Sequence, residues 1–464
     1  LIAKFRLGLF EHPFPADDLS DGAYGVDQAA ALSLRVAEES LVLLKNDGVL
    51  PLAPSGKKVA VIGYHANSAR ALFGGYHAMS MKESSVGVTI SMAGISVDPD
   101  SPVAFNAVNE TYPGSRVCRE NPKAEPLVRQ CYPGIHSLLE ALRAECPDAD
   151  FQYAEGYPYA GDDQSGFAQA LELARQSDLV ICTLGGHYGW NMAATSGEGI
   201  DSSDIGLPAC QEEFLKQLAA LHKPVVGVHF DGRPCSSDAA DTVCNALVEA
   251  WAPGQRGGDA IARILLGKAD PSGKLPCTVA RDAGQIPVYY NHLNGSSYSL
   301  NNSIAFNSYV NEPHEPRYYF GHGLHYTRFA YRDLTLDKTE LGPQEEAVVH
   351  LTVQNTGDRP GTVIVQVYAK DLQASVVRPA LELVGFCRVS LQPGESKTVT
   401  FALPMSQLAF LDLAMRWKVE GGKMQLLAGP SSKELPLSAE FSITGDAFVE
   451  GATRGFCARI QQIR

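Results

Sequence analysis

Leu179-Val180-Ile181-Cys182-Thr183-Leu184, a loop rich in glycine and small polar residues, Pro208-Ala209-Cys210-Gln211-Glu212-Glu213-Phe214-Leu215-Lys216-Gln217-Leu218, and then Val225-Val226-Gly227-Val228-His229 form the stretch that decides the fold. The first and last runs are short and continuously apolar, as in strands buried on both faces, whereas the middle one carries apolar residues at helical spacing. Strand, helix and strand in that order argue for a mostly parallel sheet with helices on both faces.

The alternation extends in both directions. It predicts strands over 59–63, 151–154, 179–184, 225–229 and 246–251, and helices over 134–145, 167–175, 209–221 and 258–266. Pro208 is well placed as the first residue of the 209–221 helix. From about residue 330 the pattern changes to short alternating strands over 350–355, 362–370, 381–391, 397–403, 416–420 and 423–428. Turn chemistry separates them, at Asn355-Thr356-Gly357-Asp358, Gln392-Pro393-Gly394-Glu395 and Gly421-Gly422. The fold class is therefore an α/β sandwich followed by an all-β sandwich of immunoglobulin or fibronectin type III architecture. Residues 80–133 have weak periodicity and read as strand-poor loops or an insertion. Residues beyond about 446 form a tail without an assigned element, and no internal repeat is evident.

Composition narrows the function classes. A chain of 464 residues is long enough for two to four domains, and 45% hydrophobic with 19% charged residues is the balance of a globular protein. A formal net charge of -14 argues against nucleic acid or anionic membrane as partners, because either needs a basic face. No apolar stretch approaches the ~20 residues of a membrane helix, and residues 1–9 lack the pattern of a secretory signal. Ten cysteines are scattered without Cys-x-x-Cys spacing. That scatter favours a reducing, cytoplasmic compartment, although Cys118 and Cys131 flank the irregular segment and are spaced for pairing. Glycosylation-type tripeptides at Asn109, Asn294 and Asn301 point the other way, so the compartment stays open.

Ligands of open α/β sheets bind beyond the carboxyl ends of the strands. Two segments stand there, Tyr64-His65-Ala66-Asn67 after the first strand and Thr195-Ser196-Gly197-Glu198-Gly199 after the 179–184 strand. Glu198 has two readings, a solvated loop acid or a proton donor. Tyr76, in Gly74-Gly75-Tyr76-His77, and Tyr188 and Trp190 each read either as aromatic walls of a sugar site or as loop packing. Asp201 and Asp204 read as acids facing the dipole of the helix that follows. His322 and His325 have metal-ligand spacing, but no adjoining acid or cysteine in sequence completes a site, and no metal is expected. Val61-Ile62-Gly63-Tyr64 hints at a nucleotide loop, but neither Gly-x-Gly-x-x-Gly nor a Walker pattern is present.

The run Ser196-Gly197-Glu198, then Asp201, then Leu207-Pro208 and Gln211 resembles the acid/base loop of family 3 glycoside hydrolases. The resemblance covers nearly the whole chain in the family's order. It includes Phe5-Arg6-Leu7-Gly8-Leu9-Phe10, Glu39-Ser40-Leu41-Val42-Leu43-Leu44-Lys45-Asn46, Gly232-Arg233-Pro234, Ala250-Trp251-Ala252-Pro253-Gly254-Gln255 and Pro271-Ser272-Gly273-Lys274-Leu275-Pro276. Phe320-Gly321-His322-Gly323-Leu324-His325 follows, with His325 where the family usually has Ser.

The resemblance implies the end of a catalytic barrel with its exit helix and linker over 1–57, an α/β domain over 58–329, a fibronectin type III-like domain over 330–446 and a tail over 447–464. It implies a retaining, exo-acting β-glycosidase of the β-glucosidase or β-xylosidase type. Glu198 would be the general acid/base, and the nucleophilic Asp would come from a barrel on the same precursor or another chain. The expected partners are that barrel and a β-linked oligosaccharide or glycoside; homo-oligomerisation stays open, and no cofactor is required. The family's Arg after Asp201 is replaced by Ser202, which removes an expected charge partner. Two other classes compete: a non-catalytic carbohydrate-binding or scaffolding protein of the same fold, and a flavodoxin-like nucleotide-binding module.

Overall fold

The computed structural model describes residues 1–14, 26–85, 110–189, 192–296 and 309–464. Its first sheet uses β1 (Val42–Asn46), β2 (Lys58–Ile62), β3 (Asp150–Ala154) and β4 (Leu179–Gly185). In the loop after β4 lies a separate parallel pair of two-residue strands, β5 (Tyr188–Gly189) and β6 (Ser196–Gly197), after which β7 (Val225–Phe230) and β8 (Ala246–Glu249) complete the sheet. The strand order is β1-β8-β7-β4-β2-β3, with β1 antiparallel to β8 and the other five strands parallel.

The helices are α1 (Ile2–Arg6), α2 (Val26–Ser40), α3 (Ala78–Ser85), α4 (Ala124–Cys131), α5 (Leu138–Glu145), α6 (Phe167–Arg175), α7 (Ala209–Ala219), α8 (Asp238–Val243) and α9 (Gly257–Leu265). Strand side chains alternate between faces, so one sheet feeds two cores. Val59, Val61, Ile181, Val226 and Val248 pack with α2, α5 and α9, while Ala60, Ile62, Cys182, Leu184 and Leu247 pack with α6, α7 and α8. Every residue of β4 is buried, which is why its sequence reads as an unbroken apolar run. Each fully buried Val, Leu or Ile contributes about 1.5–3 kcal/mol, so this central strand anchors both layers.

The differences from the sequence expectation have local causes. Helix α5 begins at Leu138 rather than at 134, because Ser137 and Glu140 form a reciprocal capping box there. Pro208 is the N-cap of α7, one position before the helix proper. The run expected as exit helix and linker divides, since α2 ends at Ser40 and Val42–Asn46 enters the sheet as β1. The segment expected as loops contains α3 and α4. Besides Met79 and Val128 in the core, they are held by polar contacts that hydrophobic periodicity does not register: fully buried Arg70 donates to Glu83 of α3 at 3.0 Å, and Glu125 of α4 accepts from the Arg70 backbone at 2.9 Å.

The second unit contains β9 (Phe329–Leu336), β10 (Glu340–Leu341), β11 (Glu346–Asn355), β12 (Gly361–Asp371), β13 (Glu382–Leu391), β14 (Ser396–Pro404), β15 (Phe410–Leu411), β16 (Trp417–Val419), β17 (Gly422–Gly429), β18 (Leu437–Ile443), β19 (Ala447–Phe448) and β20 (Arg459–Ile463). A five-stranded sheet, β10-β18-β17-β12-β13, faces a four-stranded one, β20-β14-β11-β9, across a shared apolar core. The unassigned tail supplies β19 and β20. β20 pairs antiparallel with β14 at a sheet edge, and all five of its residues are exposed, so it carries no apolar alternation. Thr327 donates to buried Asn355 at 2.7 Å, and Gln366 donates to the Gly321 carbonyl at 3.0 Å, joining this sandwich to the segment that leads into it. Among the described residues no helix is long and apolar enough to cross a membrane.

All ten cysteines are free thiols. Cys118 is buried and Cys131 exposed, and the pairing that their spacing suggested is not formed.

Gln211 of α7 is fully buried and ties the helix to the end of β4. Its amide donates to the Gly185 and Pro158 carbonyls at 2.9 and 3.2 Å, and its carbonyl accepts from the Gly185 N–H at 2.8 Å. Gln211→Leu leaves these backbone groups unpaired in an apolar site. The expected loss is at least about 2 kcal/mol, read from the urea unfolding midpoint.

Candidate active site

Chain leaving the buried β4 has almost no room for side chains. A Cβ on Gly185, whose φ is +105°, would stand 2.2 Å from the Phe230 carbonyl oxygen, and one on Gly186 would stand 2.1 Å from Thr195 Oγ1. The loop then folds back on itself through β5 and β6. The Thr195 N–H donates to the His187 carbonyl at 2.8 Å, and the His187 N–H donates to Thr195 Oγ1 at 2.9 Å. Gly197 has φ of +143° and passes so close to Gly189 that a Cβ would lie 1.6 Å from its carbonyl oxygen. Only glycine fits that approach. Glu198 follows at the tip, exposed, with its carboxylate accepting a hydrogen bond from the Tyr76 hydroxyl.

Two of the three aromatic residues expected at a sugar site can be placed. Tyr76 is exposed beside Glu198, and the hydrogen bond to that carboxylate pushes its phenol up to about 12. Tyr188 is half-buried, with its ring held between backbone segments. Cβ atoms on Gly74 and Gly232 would approach it to 2.5 and 2.2 Å, so it locks together the loops after β2, β4 and β7. Trp190 lies outside the described residues. The structure thus brings Tyr76, Tyr188 and Glu198 into one loop cluster at the carboxyl ends of the strands.

Asp201 finds a charge partner on another element. Arg233, just after β7, contacts Asp201 at 3.0 Å and donates to the carbonyls of Asp204 and Ser202 at 3.2 and 3.4 Å. These groups are substantially exposed, so the ion pair itself is worth less than about 1 kcal/mol, and its effect is to hold the loop's shape. Asp204 accepts from the Gly206 N–H at 2.8 Å, a turn contact ahead of α7.

Across the sheet, the carboxyl ends of β2 and β4 are packed with polar side chains. The His65 ring contacts the Gly186 carbonyl at 2.7 Å, and burial pulls its pKa down to about 4. Tyr64 donates to Glu120, whose carboxyl burial pushes up to about 7, with Arg70 opposing that rise. His65, Tyr159 and His187 are all buried here and fill the crevice where the strand order reverses, which is where a nucleotide would sit in a flavodoxin-like sheet. His322 and His325 do not converge. His322 contacts the Leu44 carbonyl at 2.8 Å, whereas His325 lies 3.4 Å from Asp270 and 3.1 Å from Lys274.

Sequence reading missed a third polar cluster, formed by His229, Asp231 and Glu249 at the ends of β7 and β8. Burial raises the Asp231 carboxyl well above the usual range and Glu249 to about 8, while it lowers His229. A His and two acids within otherwise apolar strand ends were the available signal.

The site is thus an acid-bearing glycine loop beyond the central strand of a mostly parallel α/β sheet, in a chain that continues into a fibronectin-like sandwich. Residues 41–326 match the glycosyl hydrolase family 3 C-terminal domain and residues 363–432 match the fibronectin type III-like domain, so the chain belongs to glycosyl hydrolase family 3. It is 33% identical to the periplasmic beta-glucosidase of Salmonella typhimurium over 93% of this chain and 53% of that protein. It is 31% identical to a beta-xylosidase of Formosa agariphila, again over 93% of this chain and 53% of the relative. Among solved structures, the beta-glucosidase of Listeria innocua in complex with isofagomine superposes with a TM-score of 0.74 at 27% identity, covering 95% of this chain and 54% of that one. The chain spans about half the length of the relatives it matches.

The Tyr76 to Glu198 contact is directly measurable. In Glu198→Gln the Tyr76 phenol should titrate closer to its ordinary value near 10 than to about 12, because the anionic acceptor that disfavours phenolate is gone. A Tyr76→Phe difference titration by ultraviolet absorbance isolates this group, and an unchanged midpoint would contradict the contact.

Proposed function

We propose that this chain is the C-terminal part of a retaining, exo-acting β-glycosidase that removes terminal β-D-glucosyl or β-D-xylosyl residues, with Glu198 as its general acid/base. The observation that carries this reading is the presentation of Glu198. Its loop is fixed by glycine contacts at Gly185, Gly186 and Gly197, and its carboxylate is exposed with a hydroxyl donor, Tyr76, against it. An acid held in that way can deliver a proton to a glycosidic oxygen and later accept one from water.

The second carboxylate of the retaining mechanism, the nucleophile, is assigned to a barrel on the same precursor or another chain. It attacks the anomeric carbon while Glu198 protonates the departing oxygen. The glycosyl-enzyme then forms and is hydrolysed with Glu198 acting as base. Exposed apolar side chains support a covering partner: Leu1, Ile2, Phe5, Leu7, Phe10 and Phe14 are exposed before α2, and Leu32 and Val36 are exposed on it. Apolar surface of this kind marks an interaction face. Tyr76, Tyr188 and Trp190 are assigned to the outer wall of the sugar site, with the exposed ring of Tyr76 best placed to stack on a pyranose.

The test begins with intact mass of the purified protein under denaturing conditions and continues with aryl β-glucoside and β-xyloside assays, alone and with a family barrel supplied in trans. Activity is expected only with the barrel, and Glu198→Gln should lower kcat on poor leaving groups by about 10²- to 10⁴-fold. Robust turnover by the isolated chain, or an unaffected Glu198→Gln variant, would sink the assignment. Sugar binding in calorimetry without turnover, even with the barrel, would instead identify a carbohydrate-binding protein.

A further inference from the structure

His229, Asp231 and Glu249 meet at the carboxyl ends of two adjacent parallel strands. His229 of β7 stands opposite Glu249, the last residue of β8, in the strand register, and Asp231 follows β7 directly. All three are at least 95% buried, and one potential ligand atom from each lies within 4.8 Å of the other two. His229 Nδ1 is 3.7 Å from Glu249 Oε2. Apart from the Cys235 thiol beside Asp231, both ring nitrogens of His229, both carboxylate oxygens of Asp231 and Oε2 of Glu249 lack a hydrogen-bond partner, while Oε1 of Glu249 accepts from the Trp251 N–H at 3.2 Å.

Such burial is costly unless something completes the site. An unpaired polar group in an apolar interior costs roughly 1–3 kcal/mol, and a buried acid either keeps its proton, as burial favours for Asp231 and Glu249, or is paired or bound to metal. Among the described residues no basic side chain forms an ion pair with the trio: Arg233, whose charge acts on Asp231, is directed to Asp201 and the adjoining carbonyls, and Arg317, whose charge acts on His229, is directed to Asp238 and Asp241. A doubly charged cation would balance two carboxylates and a neutral imidazole. One nitrogen and two oxygen donors suit a borderline transition ion better than Mg²⁺ or Ca²⁺, which prefer all-oxygen shells. Tetrahedral zinc with bonds near 2.0–2.1 Å needs ligand atoms about 3.4 Å apart, so these side chains reach it with shifts of about 1 Å or less each.

We infer that His229, Asp231 and Glu249 form a binding site for one divalent transition-metal ion, with Zn²⁺ as the probe. The ion pins the ends of β7 and β8 together beneath the acid-bearing loop. A cleft of about 760 Å³, lined in part by Asp231, Cys235, Thr195, Ser196 and Gly199, lies beside the site, while the carboxylate oxygens of Asp231 are themselves buried. The site is structural, and the ion takes no part in glycosidic cleavage as proposed above. The inference is therefore independent of that reading.

The experiment uses the full chain, stripped with EDTA and desalted, titrated with Zn²⁺ by calorimetry and then crystallised with one equivalent of the metal. The expected result is uptake of one equivalent, a raised Tm, and an anomalous peak at the zinc edge between His229, Asp231 and Glu249. Asp231→Asn, nearly isosteric, and Glu249→Gln should each weaken binding at least tenfold while circular dichroism shows the fold intact. No stoichiometric uptake, an anomalous peak only elsewhere, or unchanged affinity in both folded variants would overturn the site. If the variants do not fold, the wild-type anomalous map decides by itself.

Discussion

Everything at the candidate site depends on how the chain leaves β4. That strand is buried along its full length between two helical layers, so its carboxyl end emerges where the Phe230 backbone and the Thr195 side chain already occupy the space. Glycine at 185, 186 and 197 is the steric solution. Each allows a backbone approach that a Cβ would block, and together they turn the loop outward and carry Glu198 to its tip. Gln211 reinforces the arrangement from below by satisfying both backbone groups of Gly185.

The loop's remaining polar groups are bonded across elements. Arg233 approaches Asp201 of the acid loop from the end of β7. Tyr188 makes the same kind of connection with an aromatic ring, filling the gap left by Gly74 and Gly232. Three strand ends are thereby coupled beneath Glu198. The buried trio His229, Asp231 and Glu249 lies beside them, so the ends of β7 and β8 carry unsatisfied polar atoms close to the loop they support.

Much of this architecture was legible in sequence because burial on both faces leaves an unmistakable pattern. The runs at β4 and β7 and the helical spacing of α6 and α7 needed no tertiary information. Strands exposed at sheet edges were harder to read. β20 has no buried residue, and in β9 the alternation of the core-facing Phe329, Tyr331, Leu334 and Leu336 is broken at Asp333, so neither shows the unbroken period of two that marks a half-buried strand. The helices α3 and α4 were hidden for a different reason, since they dock through the buried Arg70 to Glu83 pair and the Glu125 contacts.

The candidate site divides along the same line. Glu198 was recognisable from its local motif, because a short loop with glycines at fixed offsets is encoded by neighbouring residues. Tyr76 is 122 positions away in sequence, and its hydrogen bond to Glu198 exists only once the loops after β2 and β4 converge. Arg233 and Asp201, and likewise His229 and Glu249, belong to separate elements that adjacent strands bring together. The sequence by itself determined the layered fold, the glycine loop and the acid at its tip, since these follow from periodicity and local sterics. Tertiary structure decided which donors, cations and buried acids surround that loop, because strand pairing sets distances that linear spacing does not encode.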